Sequence, residues 1–226
     1  VTTNGSGANN ETIQNAIHVA NPDDTISIEA GSYSENLAIG KDINLVGIGS
    51  VTLAPTSGGN LVTIDGAGFG GDDQSVSIAN IDFNGSTGLA GVGIRVNNTA
   101  SFNNLTVTDS SFTGFGSNAI AVFGNVTTGL SVLDVDVTNS TFVDNGIAGG
   151  GGSGDLQFFE YNGSATLANL DLSNTGAGAD AHLGIQFRGV GLQNGTGVLP
   201  MGAISLTDVD ISGLYVRQMI GLQRYT

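Results

Sequence analysis

A ten-residue phrase written five times constrains this chain more than any other feature. Its copies begin at Val76, Leu105, Val135, Ala165 and Ile204, and end at Gly85, Gly114, Asp144, Asn174 and Gly213. Position three is Ile78, Val107, Val137, Leu167 and Leu206. Position eight is Phe83, Phe112, Phe142, Leu172 and Ile211, at spacings of 29, 30, 30 and 39 residues. A period of roughly 30 with a fixed internal grammar marks a fold in which each unit buries its apolar face only against its neighbours.

Within the phrase, apolar positions one and three alternate with Ser, Thr or Asp at position two. That is the period of a strand with one buried face. Positions four and five break the alternation with Ala or Thr and then Asn80, Asp109, Asn139, Asn169 or Asp208. Apolar position eight resumes it. The phrase therefore predicts a strand, a two-residue bend and a second strand. Its closing Gly, Asp or Asn predicts a left-handed turn. A third apolar stretch follows each copy: Ile94-Arg95-Val96, Ile120-Ala121-Val122, Leu156-Gln157-Phe158, Ile185-Gln186-Phe187 and Leu222-Gln223. Three short strands per repeat describe one coil of a parallel β-helix, with coils stacked about 4.8 Å apart. The Asn and Asp residues of position five should then form a ladder along the solenoid.

The chain carries 37 Gly, 3 Pro and no Cys, and its formal charge is −15 from 20 acids and 5 bases. The absence of Cys excludes disulfide staples and thiol chemistry. The shortage of Lys and Arg argues against nucleic acid and anionic membranes as partners. No apolar run approaches the length that spans a bilayer, so no membrane insertion is expected. The chain starts at Val1, without a recognisable signal segment, and reads as an excised segment of a longer protein. The expected organisation is a single domain, 1–226, with a cap helix at 11–20 and coils over 24–226.

The helix rests on Ile13, Ala16, Ile17 and Ala20, with Asn9 or Asn10 as its cap and Asn21-Pro22 as its stop. It should cover the open end of the first coil. Asp24-Thr25-Ile26, Ala30-Gly31-Ser32-Tyr33-Ser34-Glu35 and Leu45-Val46-Gly47-Ile48-Gly49 follow. With the helix, these elements resemble the opening of right-handed parallel β-helix proteins of the pectin lyase-like superfamily. The resemblance covers roughly residues 10–55 by motif, and the remainder by coil pattern. It implies an all-β, right-handed parallel β-helix of three-strand coils with a short N-terminal capping helix. It does not imply one activity, because the superfamily hosts lyases, hydrolases, esterases, epimerases and non-catalytic surface proteins.

Candidate chemistry gathers on the third strands and their loops. Arg95, Ala121, Gln157, Gln186 and Gln223 align as one outward file. Arg95, Gln157, Gln186 and Gln223, with Tyr161, are the candidate glycan contacts, since Gln and Arg can bond sugar hydroxyls. The same Gln residues could equally stack on each other as a ladder. His182, Arg188, Asp155 and Glu160 are the candidate catalytic set, placed on neighbouring coils. Asp72 and Asp73 within a Gly-rich insertion at 66–74, with Asp65 just before it, are candidate oxygen ligands for Ca²⁺; no cofactor is required otherwise. Further variable loops lie at 149–154 and 192–202. Asp82, Asp171 and Asp210 share a column with Ser111 and Thr141, and read as widely spaced acids on a solvated face.

Two functional readings follow, with a third behind them. The first is a non-catalytic segment of a secreted or cell-surface protein: an adhesin, stalk or structural fibre, with weak glycan binding on the third-strand face. The second is a polysaccharide lyase, hydrolase or epimerase acting on an acidic polysaccharide. The third is a filament subunit that stacks end to end through its C-terminal coil, where no closing helix is predicted. An extracellular or cell-surface location is expected.

Overall fold

The computed structural model describes residues 2–3, 12–65, 75–86, 89–97, 103–124, 134–148, 153–161, 163–175, 183–188, 202–215 and 218–223. In chain order the elements are β1 (Thr2–Thr3), α1 (Ile13–Val19), β2 (Asp24–Ser34), β3 (Leu37–Ile39), β4 (Ile43–Ala54) and β5 (Gly59–Ile64). Then come β6 (Ser75–Ala79), β7 (Asp82–Asn84), β8 (Ala90–Val96), β9 (Asn104–Thr108), β10 (Ser111–Thr113) and β11 (Asn118–Phe123). The last are β12 (Asp134–Val143), β13 (Gly154–Phe159), β14 (Ala165–Asn174), β15 (Leu183–Arg188), β16 (Ile204–Gly213) and β17 (Gln218–Gln223). The described residues are thus all-β apart from one helix.

Every described strand pairing is parallel. One sheet carries the phrases, in the order β1-β2-β4-β6-β9-β12-β14-β16, with β7 and β10 linking β4 to β12. The other carries the third strands, in the order β3-β5-β8-β11-β13-β15-β17. Successive repeats add one strand to each sheet, an arrangement consistent with a parallel β-solenoid. Equal positions of the phrase stand opposite each other. Val107 pairs with Val137, Val137 with Leu167, and Leu167 with Leu206.

Position five is left-handed in all five copies, with φ of 57° at Asn80, 51° at Asp109, 50° at Asn139, 54° at Asn169 and 51° at Asp208. Asn and Asp tolerate that region because their short polar side chains bond locally. Within the bend position five alone is left-handed, and in the first two copies the strand is interrupted over two residues, 80–81 and 109–110. In the last three copies position five sits inside an otherwise continuous strand. The ladder is partly wired: Asn169 Nδ2 donates to Asn139 Oδ1 at 3.0 Å, and Asn80 Nδ2 donates to the Gly47 carbonyl at 2.7 Å. Gly47 admits this approach only because it lacks a Cβ, which would lie 2.0 Å from the Asn80 carbonyl oxygen. The closing turn is less uniform than expected. It is left-handed at Gly114, Asp144 and Gly213, but in the first copy the left-handed residue is Ser86, one place later.

The core is a contiguous cluster running from Ile13 to Phe187. Position eight forms a ring stack: Phe83 and Phe112 lie 4.6 Å apart, and Phe112 and Phe142 5.0 Å, with nearly parallel planes. Phe158 and Phe187 make a second stack at 4.4 Å. Parallel pairing at one strand spacing forces identical rings into register, and each stacked pair contributes about 0.5–1.5 kcal/mol beyond its burial. Two buried serines occupy position six. Ser110 Oγ donates to Thr108 O and accepts from Ile81 N, while Ser140 Oγ donates to Thr138 O and accepts from Ser110 N.

The helix is shorter than expected, and its cap is Thr12, whose side chain accepts from Asn15 N at 3.1 Å. The N–H groups of Ile13 and Gln14 go to Glu35 Oε1 and Oε2 at 2.9 and 3.0 Å. At the other end Lys41 Nζ donates to His18 O and Ala20 O. A carboxylate at the N-terminus and an ammonium at the C-terminus suit the helix dipole. The helix is thus clamped onto β3 and its flanks, with Ile13, Ala16 and Ile17 buried beneath it.

Candidate functional site

The third-strand sheet brings most of the candidates together, but not as an open outward file. Arg95 pairs with Ala121, Ala121 with Gln157, and Gln157 with Gln186. The next partner is Gly221, and Gln223 stands opposite Arg188 instead. The Gln223 alignment is therefore displaced by two residues. The strand enters the sheet at Gln218, so the apolar pair that repeats Ile185 and Phe187 is Ile220 and Leu222. Nor is the file exposed. Ala121 is fully buried, and Gln157 and Gln186 keep only 8% and 4% of their surface. Gln157 Nε2 donates to Gln186 Oε1 at 3.0 Å. A buried amide needs such a partner, because an unmet polar group costs more than the bond itself gains.

Arg95 and Arg188 are half-buried and built alike. The Arg95 guanidinium lies 4.2 Å over the ring of Phe123, and that of Arg188 lies 4.3 Å over Phe159. The two rings are neighbours, 5.7 Å apart. The four side chains make an Arg–Phe–Phe–Arg strip across β8, β11, β13 and β15. Ring quadrupoles attract cations in this geometry. Arg95 Nε donates to Asn97 Oδ1 at 2.8 Å, and Asn97 Nδ2 donates to Asp65 Oδ2 at 3.3 Å. Asp65 is thereby tied to the strip through Asn97. Asp72 and Asp73 lie outside the described residues, as do His182 and the loops at 66–74, 149–152 and 192–201. Among the described residues no group of three His, Asp or Glu is placed to hold a metal ion.

Asp155 stands at the head of a different cluster. It is buried at 2% exposure, and its Oδ1 accepts from Asn145 Nδ2 at 2.9 Å. Its Oδ2 accepts from the Tyr215 hydroxyl at 2.9 Å. Asn145 also donates to Phe112 O and accepts from Phe115 N. Burial, reinforced by the Asp155 charge and the bond to it, pushes the Tyr215 phenol well above its ordinary value. Tyr161 is buried too. Its hydroxyl donates to Ser164 O, and burial first, then Asp134, raises its phenol. Glu160 is left-handed, φ 52°, just beyond β13. Its carbonyl would meet any Cβ added at Gly124 at 2.0 Å. Neither Asn145 nor Tyr215 was marked by the sequence pattern. Each sits in a variable turn between the phrase and the third strand, and their partners come from 10 and 60 residues away.

The acidic column also departs from expectation. Ser111 Oγ donates to Asp82 Oδ1 at 2.6 Å, which quiets that member. Asp171 and Asp210, however, are direct register partners on β14 and β16. The acids are adjacent there, not widely spaced, and both face solvent.

No protein-family model matches the chain, and no curated protein matches it. Among the described residues no helix is long and apolar enough to cross a membrane.

Proposed function

We propose that the chain is a non-catalytic, rod-forming segment of a secreted or cell-surface protein. In this reading its repeats are coils of a right-handed parallel β-helix of the pectin lyase-like kind. One observation carries it: the polar side chains of the third-strand region are spent inside the molecule, within a repeat for Asp155 with Asn145, one repeat on for Gln157 and Arg95, and two repeats on for Asp155 with Tyr215. Gln157 bonds Gln186, Asp155 bonds Asn145 and Tyr215, and Arg95 covers Phe123. The contacts that cross from repeat to repeat act as rungs between coils and stiffen a solenoid, whose stability is a sum of nearest-neighbour terms. The test is a screen of acidic and neutral polysaccharides, with and without Ca²⁺, for new reducing ends and unsaturated products. The rod reading expects none. Turnover that vanishes in Arg188→Ala would overturn it in favour of a polysaccharide-degrading enzyme.

A second reading adds glycan binding along the Arg–Phe–Phe–Arg strip. It is favoured by two half-buried guanidiniums lying over aromatic rings. Weak, salt-sensitive retention on an immobilised acidic glycan, lost in Arg95→Ala, is its expected signature; equal retention of that variant would dismiss it.

A further inference from the structure

Stacked repeats are ordinarily held by nearest neighbours alone, so that each can open with little regard for the rest. The strand pairings here obey that rule: among the described residues, each one from β6 onward joins a repeat to its neighbour. One hydrogen bond does not. Counted by the five phrases, β12 and β13 belong to the third repeat, and β16 and β17 to the fifth. The Tyr215 hydroxyl, in the turn after β16, donates to Asp155 Oδ2 on β13 at 2.9 Å, across 60 residues. The bond steps over the fourth repeat. Its receiving end is anchored deeper still. Asp155 Oδ1 accepts from Asn145 Nδ2 at 2.9 Å, and Asn145 is fully buried. Asn145 also donates to Phe112 O at 3.1 Å and accepts from Phe115 N at 3.2 Å, both in the second repeat. The strap that carries Tyr215 is seated on the repeat it crosses. Leu214 N donates to Asn174 O at 2.8 Å. Gly213 holds φ at 94°, and a Cβ there would lie 2.0 Å from the Asn174 carbonyl oxygen.

We propose that the Tyr215–Asp155 bond is a latch that couples the third, fourth and fifth repeats into one opening unit. A bond shared by non-adjacent repeats is broken once, whichever of them opens first. It is then absent from the opening of the others. The first step is made harder and the later ones are not, so opening tends towards all-or-none over the three. The fourth repeat is included because the strap lies against its Asn174 and must lift before that repeat can separate. The shared contribution is a large one of its kind. Both carboxyl oxygens of Asp155 accept, as an ionised carboxylate does, and a hydrogen bond to a charged group is roughly twice as strong as one between neutral groups. Asp155 keeps only 2% of its surface, so water offers it little in place of the phenol while the third repeat stays closed. Asn145 fixes the receiving carboxylate to the second repeat, and the latch therefore pulls on a seated group.

The test is native-state hydrogen exchange of the full chain at low concentrations of denaturant. It is read at the position-four amides Thr138, Ala168 and Thr207, one from each repeat and in register with each other. In the wild type the three should share one opening free energy and one dependence on denaturant. Tyr215→Phe keeps the ring and removes the donor. In that variant exchange at Thr207 should quicken roughly tenfold, the usual contribution of one hydrogen bond to a charged group. Its denaturant dependence should shrink, while Thr138 keeps the wild-type slope. Tyr161→Phe is the control, because it removes a hydroxyl that donates to Ser164 O, three residues along the chain. There the three amides should keep one common slope. Graded exchange in the wild type, fastest at Thr207 and slowest at Thr138, would overturn the proposal. So would a Tyr215→Phe variant in which the three amides change equally or not at all. A control that splits the slopes as Tyr215→Phe does would assign the coupling to general stability and overturn it too. The polysaccharide screen and this experiment fail separately, since one reads turnover and the other reads the order in which repeats open.

Discussion

The side-chain amide of Gln14 pairs with both backbone groups of Ala38. Ala38 N donates to Gln14 Oε1 at 2.7 Å, and Gln14 Nε2 donates back to Ala38 O at 3.2 Å. One helical side chain thus imitates a neighbouring strand at the first strand of the third-strand sheet. Sheet edges invite unwanted pairing, and this bond occupies one with a group that cannot propagate a sheet.

Replacing Gln14 with Ala should therefore loosen the first repeat without touching the rest. Two hydrogen bonds of ordinary strength are lost, worth roughly 1–2 kcal/mol together after water replaces them. Hydrogen exchange should accelerate at Ala38 and remain unchanged at Val137 and Leu167. Unchanged protection at Ala38 would show that the helix seals the edge by burial alone.

Much of this architecture was legible in the sequence, for a physical reason. Strand period and parallel register are both fixed by burial: shifting a strand by one residue turns its apolar set outward. Position three therefore aligns from Ile78 to Leu206 without reference to any other element. The bend was equally legible, since Asn and Asp at one recurring position answer a local backbone demand. What escaped depends on distant partners. Thr12 caps the helix, while its first N–H groups are met by Glu35, more than 20 residues on. Gln223 misaligned because a variable turn precedes its strand and repeats count only from where the strand re-enters the sheet. Gln157 and Gln186 looked outward by alternation, and alternation alone does not report what lies over a strand.

The bend ladder can be dissected at Asn169. Ala there would hold a left-handed φ at a cost of about 1–2 kcal/mol and lose the bond to Asn139. Gly would lose the bond but take the conformation freely. Denaturant midpoints should rank the wild type first, Asn169→Gly second and Asn169→Ala last. Equal losses in the two variants would assign the whole effect to the side-chain bond.

Asp171 and Asp210 offer a gain rather than a loss. Like charges directly opposite on paired strands destabilise them, and both side chains face water, where salt screens them. Asp210→Ser, which restores the Ser/Thr pattern of Ser111 and Thr141, should raise the Tm by about 1–2 °C at low salt. The gain should shrink in 0.5 M NaCl. A Tm rise independent of salt would point to strand propensity instead of charge.

Alkaline pH should strike at the buried phenols. In the folded chain Tyr161 and Tyr215 hold their protons above the ordinary value of 10, chiefly through burial. The unfolded chain releases them near 10, so above that pH the folded state binds more protons than the unfolded state. Stability contributed by these groups is complete below pH 10 and is lost as the pH rises towards the folded values. Linkage limits the loss to about 1.4 kcal/mol per pH unit for each tyrosine, and Tyr215, still partly in contact with water, should fall short of that limit. Thermal melts from pH 9 to 11.5 should show a Tm that is level at first and then declines. Tyr215→Phe should begin lower, having lost the bond to Asp155, and decline less steeply. A variant curve parallel to the wild type throughout would mean that Tyr215 ionises in the folded chain as it does in the unfolded one. The Asp155 contact would then be no stronger than the bonds to water it replaces.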